Sequence, residues 1–226
     1  MKDLIPTFRD SVLTPSSELL GDWAEMGIDT LIENDVLRDI PFVNTLAGIC
    51  KVGYNIHERN LLKQTITFIQ GFNSGKINEE RLKNYREEII TSPEKAEKEL
   101  GRVIIILNSQ FETIQSQVLG KFYRAYVNGA VSWEKFCELS EANRRMFAID
   151  YALLEQQCSN QKDQLGEKRE YQYDRLVSLG LLGRESIATG STDGGNSIFP
   201  VVSTGTSVTS FGKTFYHLMH KHRDEA

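Results

Sequence analysis

The chain is poor in cysteine. Its three cysteines, Cys50, Cys137 and Cys158, are odd in number, far apart and free of any CxxC or Cys/His spacing. That argues against a disulfide framework and a cysteine-based zinc site, and it implies reduced thiols in a cytoplasmic protein. Positive charge is not in surplus either. Lys and Arg number 26 against 31 Asp and Glu, giving a formal net charge of -5. Such a chain binds nucleic acid only through a local basic patch. The opening MKDLIPTFRD lacks a basic stretch followed by an apolar run, so no signal peptide is expected. The closing HKHRDEA carries no lipidation motif. P-loop, GxSxG, HExxH, GxGxxG and EF-hand spacings are all missing. No catalytic residue and no cofactor is therefore expected, and the chain reads as a non-enzyme.

Long apolar runs are lacking too, and the nearest approach is DIPFVNTLAGICKVGYNIHERN at 39–60. Asn44, Thr45, Lys51 and Asn55 interrupt it. A spanning helix needs about 20 mostly apolar residues, and a central Lys costs roughly 2.5–3.5 kcal/mol. The expectation is a buried helix from about Pro41 to Gly53, with proline in the first turn. Conditional membrane contact is the alternative. Phe42, Val43, Leu46 and Ile49 are the candidate membrane or partner contacts. Ala47, Gly48 and Gly53 permit close helix packing in either setting.

What the sequence does have is helical periodicity with clear start and stop signals. At 40% hydrophobic and 25% charged residues, it has the balance of a globular protein able to bury a core. A helix is expected after Thr14-Pro15-Ser16-Ser17, with Leu19, Leu20, Trp23, Met26, Ile28 and Leu31 on one face. A second apolar-periodic helix runs from Leu61 to Phe72. Asn78 caps a charged helix with an apolar edge of Leu82, Tyr85 and Ile89. Thr91-Ser92-Pro93-Glu94 starts the next. Val103 to Leu107 would read as a strand alone, but the helix-forming run before it favours a buried helix end. FETIQSQVLGKFYRAYV then stops at Asn128-Gly129. Phe122 and Tyr126 are four apart and read as core. Their alternation with Lys121 and Arg124 is the weaker signal of a nucleic-acid stacking surface. Trp23 and Trp133 likewise read as core anchors. Ser132 caps WEKFCELSEANRRMFAIDYALLEQQ, the longest helical pattern in the chain.

At Cys158 the character turns polar, and a boundary is expected there. The fold class is mainly α: an N-terminal helical bundle over 1–158, then a small module with a short β-hairpin over 167–222. In that module REYQYDRLVSLGLLGRE is a short helix ending in Leu-Gly, ATGSTDGGNS is a flexible loop, SIFPVVS and TSVT are short strands, and FGKTFYHLMHKH is a terminal helix. Leu176, Leu179, Gly180, Leu181 and Leu182, then Val208, Thr209, Phe211, Gly212 and Phe215, resemble the closing phrases of winged-helix domains. Gly180 suits a left-handed cap, and Thr209 or Ser210 suits the cap of the last helix, whose Phe211, Phe215, Leu218 and Met219 face inward.

The layout also resembles bacterial and prophage abortive-infection-associated (Abi-alpha-like) proteins, and its helical middle resembles the TerB-like family. The acidic metal positions of that second family are not evident, so no site residue is carried over from it. The first resemblance implies a setting in phage defence. A winged helix implies DNA binding as one option, through Arg169, Arg175 and Arg184. From Gln161 to Ala226, however, eight basic residues meet eight acidic ones, and TGSTDGGNS has no Lys or Arg. Contact with a protein partner or a second copy of the chain is expected in preference, with nucleic acid as an alternative partner. His57, beside Glu58, reads as a solvated helix junction. His217 and His220 are three apart, but no third ligand stands at a matching spacing, so no metal is expected.

Overall fold

The computed structural model describes residues 4–14, 40–42, 44–45, 56–159, 170–189 and 201–220. It is mainly helical, with one two-stranded antiparallel sheet among the described residues. The expected helix after Thr14 lies outside the described residues, as does most of Pro41–Gly53. Pro41, Phe42, Asn44 and Thr45 are helical, as that expectation requires. By contact the chain divides into two compact units, the first running to Arg144 and the second from Arg145 to His220.

In the first unit, α1 (Leu4–Leu13) buries Phe8, Val12 and Leu13. Phe8 meets the Phe42 ring edge-on at 5.2 Å and stacks on Phe68 at 5.9 Å. Phe68 belongs to α2 (Ile56–Asn73), whose Leu62, Ile66, Ile69 and Phe72 form the inner face. Helix α3 (Glu79–Thr91) begins as expected: the Asn78 carboxamide oxygen accepts the Arg81 N–H at 2.9 Å. Ser92 caps α4 (Pro93–Ala96), which has its proline at the first position. A π-helical turn over Glu97–Gly101 follows, then α5 (Arg102–Asn108). The Val103–Leu107 run is thus helical, with Val103 and Leu107 buried.

Helix α6 (Thr113–Val127) crosses α2 with no side chain between the backbones. A Cβ on Gly120 would sit 2.2 Å from the Phe68 carbonyl oxygen, and one on Gly71 would sit 2.1 Å from that of Gln117. Helix α6 stops where the sequence places the stop. Gly129 takes φ 72°, its N–H donates to Tyr126 O at 2.8 Å, and the Ala130 N–H donates to Ala125 O at 2.8 Å. That pair of bonds is a Schellman ending. Ser132 then caps α7 (Trp133–Arg144), accepting the Lys135 N–H at 3.2 Å.

The single helix expected from Ser132 to Gln157 is two. Helix α7 ends at Arg144, and α8 (Ala148–Ser159) begins after a break at Arg145–Phe147. Proline and glycine are both absent from 133–159, so the sequence gives no breaker. Side chains make the break. Gln115 Nε2 donates to Arg144 O at 3.3 Å, and Phe147 N–H donates to Asp150 Oδ2 at 2.8 Å.

The second unit holds α8, α9 (Glu170–Ser178), β1 (Leu182–Thr189), β2 (Val201–Val208) and α10 (Ser210–His220). Helix α9 also ends in a Schellman turn: Gly180 has φ 73°, and Leu181 N–H reaches Leu176 O at 3.0 Å. Leu176 and Leu181, brought together by this turn, are both fully buried. The hairpin pairs Leu182 with Val208 and Thr189 with Val201. The first strand is therefore LGRESIAT, which the sequence reading splits between a helix end and a flexible loop. Its residues have weak strand preference, and pairing to β2 overrides it. Strand β2 runs through Gly205, joining two segments that the sequence separates. Phe215, Leu218 and Met219 of α10 are buried as expected, while Phe211 is half-buried.

The phrases around Leu181 and Thr209 form one joint. Thr209 N–H donates to Leu181 O at 3.1 Å, and its hydroxyl donates to Gly180 O at 2.6 Å and accepts the Gly212 N–H at 2.9 Å. A Cβ on Gly212 would sit 2.1 Å from Leu181 O, so only glycine lets α10 lie this close.

Candidate functional site

The most concentrated polar chemistry of the first unit surrounds Glu99. Glu99 stands in the charged, helix-forming run EKAEKELGRV, yet it is only 4% exposed. It lies in the π-helical turn, a local widening that recurs at functional positions. Both carboxylate oxygens are held by phenols. Tyr85 Oη donates to Oε2 at 2.8 Å, and Tyr126 Oη donates to Oε1 at 2.9 Å. Tyr85 and Tyr123 hydroxyls also meet, at 2.5 Å. Because the one Tyr85 proton goes to the carboxylate, Tyr123 is the donor in that second bond. The chain of donation is therefore Tyr123 to Tyr85 to Glu99, with Tyr126 closing from the other side. Lys95 Nζ stands 4.0 Å from Glu99 Oε1, lies 5.6 Å from the Tyr85 ring centroid and pairs with Glu88.

Burial raises all three phenols above the usual tyrosine range, with the Glu99 charge adding to it. For Tyr85 and Tyr126 the bond to Glu99 raises it further. The phenols therefore stay protonated donors at neutral pH, and two of them bind the Glu99 carboxylate. Around it the rings of Tyr123, Tyr126, Trp133 and Phe136 pack at centroid distances of 5.1–6.1 Å.

A second buried polar group lies between α2 and α6. Ser116 Oγ lies 2.6 Å from Gln64 Oε1 and also within hydrogen-bonding distance of Gln110. Asn60 Nδ2 donates to Gln110 O at 2.8 Å. Arg124, almost fully buried, closes the end of α2: its Nη1 donates to Ser74 Oγ at 2.9 Å and to Gly71 O at 3.3 Å. A cation at a helix C-terminus is favourably placed against the helix dipole. Burial lowers the Lys121 ammonium below the usual lysine range, and the Arg124 charge adds to that.

The residues singled out from the sequence have the following places. Arg175 is bound to Asp150 through two contacts of 2.8 Å and lies over the Phe147 ring at 4.6 Å. Arg184 pairs with Asp174 at 2.5 Å, both exposed. Arg169 lies outside the described residues. Phe42 is fully buried against Phe8, and its N–H donates to Ser11 Oγ at 3.1 Å. Val43, Leu46 and Ile49 lie outside the described residues. Phe122 and Tyr123 are fully buried and Tyr126 packs beside them, so FYRAY is core and not a stacking surface. His57 is exposed in the first turn of α2. His220 Nε2 lies 3.8 Å from Glu155 Oε1. Among the described residues no three His, Cys, Asp or Glu side chains gather as a metal site, and no helix is long and apolar enough to cross a membrane.

Sequence reasoning missed Glu99 and Asp150. A signal for the first was present. Three tyrosines stand on otherwise apolar helix faces, and a buried phenol needs a hydrogen-bond partner. Comparison of the chain with protein-family models, curated proteins and solved structures finds no match.

Proposed function

We propose that the chain is a non-enzymatic, cytoplasmic interaction protein of bacterial origin that acts through protein contacts. One observation supports this above the rest: the two buried carboxylates among the described residues are engaged inside the protein. Glu99 is held by Tyr85 and Tyr126, and Asp150 by Arg175 and the Phe147 N–H. Neither is left to act as a general base. The surface offers apolar contact instead, with Phe111 89% exposed and Ile105 71% exposed. In the C-terminal module Arg175 and Arg184 each pair with an aspartate, which speaks against a cationic face for phosphate. The resemblance of the chain's layout to abortive-infection-associated proteins supports phage defence as the setting.

The test is biochemical. Purified protein is expected to leave nucleotides and nucleic acids unchanged and to show no salt-dependent retention of duplex DNA. Turnover of either substrate sinks the reading, and a salt-dependent gel shift replaces it with a DNA-binding one. Flotation with liposomes decides the membrane alternative for residues 39–56.

A further inference from the structure

The break between α7 and α8 is made by side chains and opposed by sequence. Arg145, Met146 and Phe147 carry no helix-breaking chemistry, and Arg and Met are good helix formers. The buried stripe continues across the gap at spacings of three and four: Phe136, Leu139, Asn143, Met146, Asp150 and Leu154. In one continuous helix, Arg144 O would accept from Ala148 N–H, and Phe147 N–H would donate to Asn143 O. Here both backbone groups are taken by side chains instead. Gln115 Nε2 occupies Arg144 O, and Asp150 Oδ2 occupies the Phe147 N–H. Asp150 is held in that position by Arg175, whose Nε and Nη2 each lie 2.8 Å from a carboxylate oxygen.

We propose that this break is a conformational hinge. Residues 133–159 have a second state in which they form one uninterrupted helix, and the Asp150–Arg175 pair selects the broken one. Three facts support it together: a continuous helical pattern, a break with no proline or glycine, and two backbone groups beside the break diverted to side chains. A group that draws Arg175 off Asp150, such as a competing carboxylate or phosphate on a partner, would then shift the helix toward continuity. The hinge does not depend on the interaction reading given above.

Amide hydrogen exchange on the full chain tests this by the sign of one change. Removing Asp150 in Asp150→Ala frees the Phe147 N–H. If the hinge closes, that amide bonds to Asn143 O and its exchange slows about tenfold or more relative to the unaltered chain. If Asp150 is only a helix cap, the same amide loses its partner and exchanges faster. The carbon shifts of Met146, one of four methionines and so readable by selective labelling, move to helical values in the first case alone. Asp150→Asn keeps a side-chain oxygen while weakening the tie to Arg175, and it decides the matter if the alanine variant does not fold. Slowed Phe147 exchange in either folded variant supports the hinge. Unchanged or faster exchange in the folded variants overturns it.

Discussion

Tyr85 stands in the middle of a chain of donors, and its neighbours differ in what they lose with it. Replacing Tyr85 with Phe leaves one Glu99 oxygen without its donor and the Tyr123 proton without its acceptor. Replacing Tyr123 with Phe removes only the outer, neutral bond. Urea unfolding is expected to show about 2–3 kcal/mol lost for Tyr85→Phe and about 1 kcal/mol for Tyr123→Phe. Equal losses would mean that the donor order is wrong. The same phenols set an alkaline limit. Their folded pKa values are raised, so the folded state keeps its protons where the unfolded chain loses them. Their stabilising contribution is whole below about pH 10, the usual tyrosine value. It falls as pH rises above that, by about 1.4 kcal/mol per unit for each of the two deeply buried rings, Tyr85 and Tyr123. Denaturant midpoints measured from pH 8 to 11 check this, and Tyr85→Phe should flatten the decline. At this scale the sequence was legible wherever one residue acts on its own neighbours. Asn78, Ser92, Ser132, Gly129 and Gly180 cap or stop helices as their types demand. Glu99 and Asp150 were not legible, because what makes them special is a partner far away in sequence.

Between elements, α2 and α6 cross backbone to backbone at Gly71 and Gly120. Alanine normally favours a helix over glycine by about 1 kcal/mol. At Gly120 and Gly71 that gain is overwhelmed, since a methyl group would press on a carbonyl oxygen of the opposing backbone. Gly120→Ala is expected to destabilise by about 3 kcal/mol or more, and Gly71→Ala similarly, read as a lowered thermal midpoint without loss of helical signal at low temperature. A neutral result would show that the helices can part cheaply. Gly120 could not be picked out beforehand. A glycine inside an apolar helical pattern has the same spacing whether it faces solvent or another backbone. The α7–α8 break was hidden for a related reason, as Gln115 and Asp150 create it by tertiary bonds over a continuous helical pattern. Strand β1 was hidden because pairing, not composition, makes it a strand.

Over the whole chain, the mainly α class and the helix–hairpin–helix close were readable from periodicity and punctuation. The units are separable by experiment. Gly212→Ala should accelerate hydrogen exchange within 145–220, where its methyl would strike Leu181 O, and leave the amides of α2 and α6 at their original rates. Acceleration spread evenly over both would show that they unfold together. The joint at Leu181 has one more implication. Gly180, Leu181, Thr209 and Gly212 lie about thirty positions apart in two short phrases, yet they are two halves of a single fastening. The fastening is made where the strands begin and end, so it sets no length for the chain between Thr189 and Val201. Relatives of this protein should then keep the two phrases as an inseparable pair while the span between them drifts freely. A tag spliced into that span should leave the module standing, whereas changing one phrase alone should undo it.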